Sequence, residues 1–311
     1  MSIENTIRCI LREKVLPSHK EKQLTERGMI YVAQGVNLDE ALGGNKPKEI
    51  VFCPHQDDAE IGIGPYLAKY YHAKGFLFVY HTNGVGGLIR DAASRERALQ
   101  LFGKEPNEIV PEELVQRRRE QAEKAMEFFQ VPAGIFLGYD SIKKGHARER
   151  EASIETVALL LNAIKPEKIF IPQPFDQHLT HRIATYICGC AAARASWDGE
   201  ILGYSVWGPV PYDVPTQDEF FEEGYVDMMR AAIHLHKTEM VKNYGEAKAC
   251  MMRMDAIATV NKPDALSERY LMRNMKLGHL KGMTRQGVRD SIASCIHDKK
   301  MANEFLENCD K

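Results

Sequence analysis

The chain has 311 residues, 44% of them apolar and 27% charged, with a net charge of −2. That length and apolar content allow one large buried core with an appendage, and so balanced a charge excludes a general attraction to nucleic acid or anionic lipid. No apolar stretch approaches the ~20 residues of a membrane span and the N-terminus lacks the pattern of a secretory signal, so a cytoplasmic location is expected.

Seven cysteines without a C-x-x-C pair fit reduced thiols better than a disulfide framework. Residues 1–47 read as a charged, weakly periodic extension broken at Leu16-Pro17 and Gly43-Gly44. From Lys48 the pattern becomes regular. Glu49 to Cys53 is a short β-branched apolar run, and Ile61 to Lys74 carries Ile63, Leu67, Tyr70 and Tyr71 at helical spacing. Phe76 to Tyr80 is a second strand. Glu112 to Phe129, with Pro111 near its first turn, is an amphipathic helix, and Ile135 to Leu137 is a third strand. A helix over Ser153 to Ile164, a strand over Lys168 to Ile171, a small-residue helix over Thr180 to Ala195 and a strand over Ile201 to Val206 follow. This alternation predicts a Rossmann-like three-layer α/β core with a mostly parallel sheet over 48–210, because parallel neighbours need crossover helices. Residues 211–311 turn rich in Met, Glu, Arg and Ala and predict a mainly helical C-terminal region packed on the core.

Open α/β sheets bind ligands at the carboxyl ends of their strands, so the residues just after the strands carry the most weight. Pro54-His55-Gln56-Asp57-Asp58-Ala59-Glu60 follows the first strand and supplies an imidazole and two carboxylates. Asn83-Gly84-Val85-Gly86-Gly87 follows the second, a loop that lets backbone approach a ligand but lacks G-x-G-x-x-G spacing. Asp176-Gln177-His178-Leu179-Thr180-His181 follows the Lys168 to Ile171 strand with two histidines three apart. Two imidazoles and a carboxylate suit a divalent metal, and a spare carboxylate can take a proton from bound water, which points to hydrolysis. Zinc heads the list, and iron, manganese and cobalt suit the same donors. Asn83, Arg117, Asp140 and His236 are the candidate substrate contacts. The plainer readings are a turn for the Asn83 loop, a helix-surface charge for Arg117 and a strand end for Asp140; of the pair His234 and His236, which face different directions on a helix, packing is the reading for His234 and the pocket for His236.

With this combination the chain resembles the PIG-L/LmbE family of zinc-dependent N-deacetylases, whose hallmarks are P-H-x-D-D and a later H-x-x-H. Arg117-Arg118-Arg119-Glu120 through Phe129-Gln130-Val131, then Phe136-Leu137-Gly138-Tyr139-Asp140, are similar to the family's next helix and strand. Ala231-Ala232-Ile233 with His236-Lys237-Thr238-Glu239 resembles its later A-(L/I)-x-x-H-x-(S/T)-Q helix. The resemblance implies that His55, Asp58 and His181 bind zinc, that Asp57 is the general base, and that His178 stabilises the oxyanion or protonates the leaving amine. It also implies an N-acetylglucosamine-like sugar or conjugate as substrate. Two positions depart from the family: Thr180 stands where H-x-D-H has its acid, and Glu239 stands where glutamine is usual. Two other classes are compatible with the sequence, a nucleotide- or cofactor-binding Rossmann-like protein and a metal-binding relative without turnover. Self-association is left open.

Overall fold

The computed structural model describes residues 2–15, 28–43, 48–85, 92–237, 244–260 and 269–309. In chain order the elements are α1 (Ile3–Lys14), β1 (Met29–Val32), α2 (Leu38–Gly43), β2 (Lys48–Cys53), α3 (Asp58–Tyr70), β3 (Gly75–Thr82), α4 (Ala92–Phe102), α5 (Pro111–Phe128) and β4 (Ala133–Tyr139). They continue with α6 (Ala147–Ile164), β5 (Lys168–Pro172), α7 (Leu179–Arg194), β6 (Glu200–Tyr204), β7 (Thr216–Glu222), α8 (Glu223–Ile233), α9 (Tyr244–Val260), β8 (Arg269–Lys276), α10 (Arg285–Cys295) and α11 (Lys299–Cys309).

One eight-stranded sheet runs through the molecule in the order β1-β4-β3-β2-β5-β6-β8-β7. Its five central strands, β4 to β6, are parallel. They alternate in sequence between two apolar faces, as a strand covered on both sides requires. Ile50, Phe52, Leu77, Val79, Ile169 and Ile171 face the core that includes α1, α6 and α7. Val51, Cys53, Phe76, Phe78, Tyr80 and Phe170 face the opposite core with α3, α5 and α8. The expected three-layer α/β architecture is therefore present.

The flanking segments take more part in the sheet than expected. β1 lies in the supposed extension and pairs antiparallel with β4. α1 contributes Ile7, Ile10 and Leu11 to the first core. β8 pairs antiparallel with β6 and then with β7, so the C-terminal region adds two strands as well as helices. Neither strand reads as one in sequence. Thr216–Glu222 sets only two adjacent apolar residues, Phe220 and Phe221, among polar and acidic ones on a half-exposed edge, and Arg269–Lys276 buries Arg273 and Asn274.

The chain winds from β2 through β3 to β4 on one side, then returns to place β5 and β6 on the other. β2 and β5 are thus adjacent strands whose following loops diverge, and the crevice beyond their carboxyl ends is where such sheets bind ligands.

Candidate active site

Both histidine-bearing loops open into that crevice. His55, Asp57 and Asp58 follow β2, and His178 and His181 follow β5. Asp58 begins α3 and accepts a hydrogen bond from the His55 backbone N–H at 2.7 Å, closing a tight turn that aims both side chains the same way. His181 sits in the first turn of α7, which Thr185 Oγ1 ties to the Pro172 carbonyl at 2.7 Å.

The resulting triangle is compact. His55 Nδ1 lies 3.2 Å from His181 Nε2 and 3.3 Å from Asp58 Oδ2, and His181 Nε2 lies 3.4 Å from Asp58 Oδ1. Zinc bonds of ~2.0–2.1 Å at tetrahedral angles place donor atoms about 3.3 Å apart, so these three residues fit a divalent ion in spacing and in chemistry. Donor atoms of His55, His178 and His181 also fall within 4.8 Å of one another. Asp58 borders that histidine group through different oxygens, Oδ2 towards His55 and Oδ1 towards His181.

Asp176 organises the group from behind. Fully buried, it meets His181 Nδ1 at 3.1 Å and accepts the His178 backbone N–H at 2.8 Å through Oδ1. Its Oδ2 accepts the Trp207 backbone N–H at 3.0 Å. A carboxylate on the far nitrogen fixes a ligand histidine's tautomer and raises its basicity. The structure ties the Asp176 carboxylate to the His181 ring, and Thr180 lines the cleft as a hydroxyl.

Charge separates the two adjacent aspartates. Burial opposes ionisation of Asp58, but His181 and His55 beside it outweigh burial and hold its carboxyl well below the usual range. Asp57 is pushed the other way, by burial and then by the charge of Asp58, with His236, His55 and Arg118 opposing. Burial works against a charged His181 as well, yet Asp58 and Asp176 raise it to about 9 in the metal-free protein. His178 is more open to solvent. Burial of its ring, then the charge of His181 and His55, lower its pKa.

The cleft above these groups has a volume of 330 Å³, and its walls include Thr82, Gly84, Arg118, Asp140, Ser141, Lys143, His178 and Trp207. Three buried arginines hold the loops that form it. Arg118 donates to the Gly84 carbonyl after β3. Arg150 donates to the Ile142 and Lys143 carbonyls after β4, at 3.3 and 2.6 Å. Arg182 donates to the Asp176 and Gln177 carbonyls after β5, at 2.7 and 3.0 Å. Gly84 has φ +75°, and a Cβ there would lie 2.2 Å from Arg118 Nη1, so both the turn and the guanidinium need glycine.

The remaining candidates fall in different places. Asp140 lines the cleft, and Asn83 supports it by donating Nδ2–H to Asp140 Oδ1 at 2.5 Å. His236 is buried with Nε2 3.4 Å from Glu60 Oε2, behind Asp57 and not among the lining residues. Arg117 points away from the cleft: its guanidinium reaches the Leu101 carbonyl and Glu120 beside a separate shallow depression. The arginine that enters the cleft is its neighbour Arg118, which no pattern in the sequence sets apart from Arg117 and Arg119. Gly86, Gly87 and Glu239 lie outside the described residues.

Residues 50–192 match the family described as PIG-L: GlcNAc-PI de-N-acetylase. This segment is a PIG-L family domain. It spans the sheet from β2 to β5 and every residue of the donor triangle. No curated protein sequence matches the chain. Among solved structures, the N,N'-diacetylchitobiose deacetylase of Pyrococcus horikoshii is similar with a TM-score of 0.56 and 18% identity, covering 79% of this chain and 92% of its own. The A40926 pseudoaglycone deacetylase Dbv21 has a TM-score of 0.53 at 14% identity, covering 75% and 97%. GalB of Pseudomonas putida, a 4-carboxy-2-hydroxymuconate hydratase, has a TM-score of 0.53 at 17% identity, covering 73% and 95%. At such identities these likenesses establish the fold.

Proposed function

We propose that the chain is a metal-dependent N-deacetylase that hydrolyses the acetamide of an N-acetylglucosamine-like sugar or conjugate. The observation that carries this reading is the meeting of His55, Asp58 and His181 at 3.2–3.4 Å, with Asp57 free beside them at the sheet's switch point. The PIG-L domain and the deacetylases among the structural relatives support the reaction class and the sugar.

His55, Asp58 and His181 are the proposed ligands, with zinc as the expected ion and Fe²⁺ the first alternative. A divalent ion held there supplies an acidified water and a charge that polarises the amide carbonyl. Asp57, whose proton affinity is raised by burial and by Asp58, accepts the proton that the water gives up as its oxygen bonds to the carbonyl carbon. His178, neutral because its pKa is lowered, donates an N–H to the oxygen that becomes negative. The C–N bond then breaks, and the proton held on Asp57 passes to the amine, giving acetate and a free amino sugar. Arg118, Asp140 and the loops clamped by buried arginines shape the substrate pocket.

The test is acetate release from acetamido sugars by zinc-loaded protein, alongside metal content for the wild type and Asp57→Asn. Loss of activity with retained zinc supports the assignment. Undiminished turnover by Asp57→Asn, or by protein stripped of metal, overturns it.

A further inference from the structure

Trp207 is a large aromatic residue left 40% exposed, and it lines the cleft that holds the histidines. The loop that carries it is fastened at nearly every residue. Lys248, buried with its pKa lowered to about 8, donates to the Ser205 carbonyl. Tyr244 donates its hydroxyl to the Val206 carbonyl at 3.4 Å, and its ring packs edge-on against the indole at a centroid distance of 4.5 Å. Asp176 takes the Trp207 N–H. Ser205 Oγ and Gln173 Nε2 both donate to the Gly208 carbonyl, where φ is +94°.

A buried lysine and a buried glutamine are costly side chains to commit to one short loop unless its geometry matters. The same carboxylate that holds His181 also sets the height of the indole, so platform and donor triangle share one support. An indole face offers a broad apolar surface with little entropy to lose, and the axial C–H groups of a pyranose present the matching apolar face. Preorganising such a surface lowers the cost of binding.

We propose that Trp207 is the aromatic platform on which a pyranose ring of the substrate stacks, placing its acetamide over the donor triangle. Trp207 is thus a specificity-determining residue of the cleft, and the assignment rests on the sugar-deacetylase reading given above.

Two measurements test it in the zinc-loaded full chain. The first is acetate release from N-acetylglucosamine and its β-1,4-linked dimer by wild type, Trp207→Ala and Trp207→Phe. Trp207→Ala should raise KM about tenfold while kcat stays within about threefold, because a ground-state binding surface is lost, and Trp207→Phe should restore most of KM. The second is tryptophan fluorescence during titration with the glucosamine dimer. The chain has two tryptophans, and Trp197 is buried at the amino end of β6 with its indole N–H bonded to the Pro166 carbonyl. A ligand-dependent emission change should therefore be present in wild type and absent in Trp207→Phe. If Trp207→Ala is poorly folded, Trp207→Phe and the fluorescence titration decide. Acetate release with an unchanged KM in Trp207→Ala, or the same emission change in Trp207→Phe, removes the platform and leaves the deacetylase. A zinc-loaded wild type that releases no acetate from either sugar removes the deacetylase reading, and the platform with it.

Discussion

Replacing Asp176 by asparagine isolates the contribution of one buried carboxylate. Its Oδ1 accepts the His178 backbone N–H at 2.8 Å and lies 3.1 Å from His181 Nδ1 as an ion pair, while Oδ2 accepts the Trp207 backbone N–H at 3.0 Å. Asparagine has one oxygen. Placed towards the histidines, it leaves its NH₂ against the Trp207 N–H, and that buried donor loses its partner at a cost of about 1–3 kcal/mol. The lost charge acts separately on His181, whose proton affinity Asp58 and Asp176 raise together. A less basic imidazole is a poorer ligand. Loss of such an outer partner weakens metal binding by ~10–100-fold, about 1.4–2.8 kcal/mol at 1.4 kcal/mol per tenfold. Zinc competition with a chromophoric chelator reads the affinity, and thermal unfolding of the metal-free variant reads the stability. A folded Asp176→Asn protein that binds zinc within about twofold of wild type would refute the role assigned to this carboxylate.

Asp57→Asn should retain zinc and lose ~10²–10⁴-fold in kcat, checked by acetate assay and metal analysis on the same preparation. Zinc binding at pH 7 should release roughly one proton, because His181 is raised to about 9 in the metal-free protein and must give its proton up to coordinate. Calorimetry in buffers of different ionisation enthalpy counts that proton, and a count near zero would contradict the charge on His181. The same groups set metal-free stability. The raised His181 contributes fully below the unfolded histidine value of ~6.5 and is lost as pH rises through about 9. The lowered Asp58 contributes above ~3.9 and is lost as pH falls through its folded value, and the lowered His178 makes stability rise with pH from about 3 to ~6.5, so metal-free melts should peak near pH 6.5. Arg118→Ala should cut kcat/KM by at least about tenfold, whereas Arg117→Ala, which breaks a half-exposed pair with Glu120, should stay within about twofold. Equal losses in the two variants would mean that Arg117 reaches substrate.

The legible parts of this fold are those where local pattern and final environment agree. β2, β3 and β5 are apolar on both faces because helices cover both, and such runs stand out in sequence. β7 and β8 are hidden for the opposite reason. They pair with each other across more than forty residues of chain, β7 as a half-exposed polar edge and β8 as an interior strand that buries Arg273 and Asn274, so nothing local separates them from surface helix. In the cleft, His55 and Asp58 could be read as one cluster because they sit three apart in a turn. Their meeting with His181, 126 residues from His55, followed only from placing both loops after neighbouring strands. Arg117 and Arg118 show where residue type runs out. Successive helix positions differ by about 100°, so three consecutive arginines give no phase, and packing of α5 on the sheet chose Arg118 for the interior.

Fold alone cannot assign the chemistry, since two deacetylases and a hydratase resemble this chain to nearly the same degree. What the loops carry must decide. Buried cations that donate to main-chain carbonyls hold four walls of the cleft, Arg118 after β3, Arg150 after β4, Arg182 after β5 and Lys248 after β6. Main-chain clamps of this kind fix where a loop runs and leave its side chains free to differ. One scaffold can then present a sugar-stacking indole here and other groups in a relative, while the donor triangle at the switch point stays in place. Exchanging the Ser205–Pro209 loop should therefore alter substrate preference in acetate assays without altering zinc affinity. A large change in zinc affinity would mean that Trp207 and His181 are coupled through Asp176 more tightly than a shared support requires.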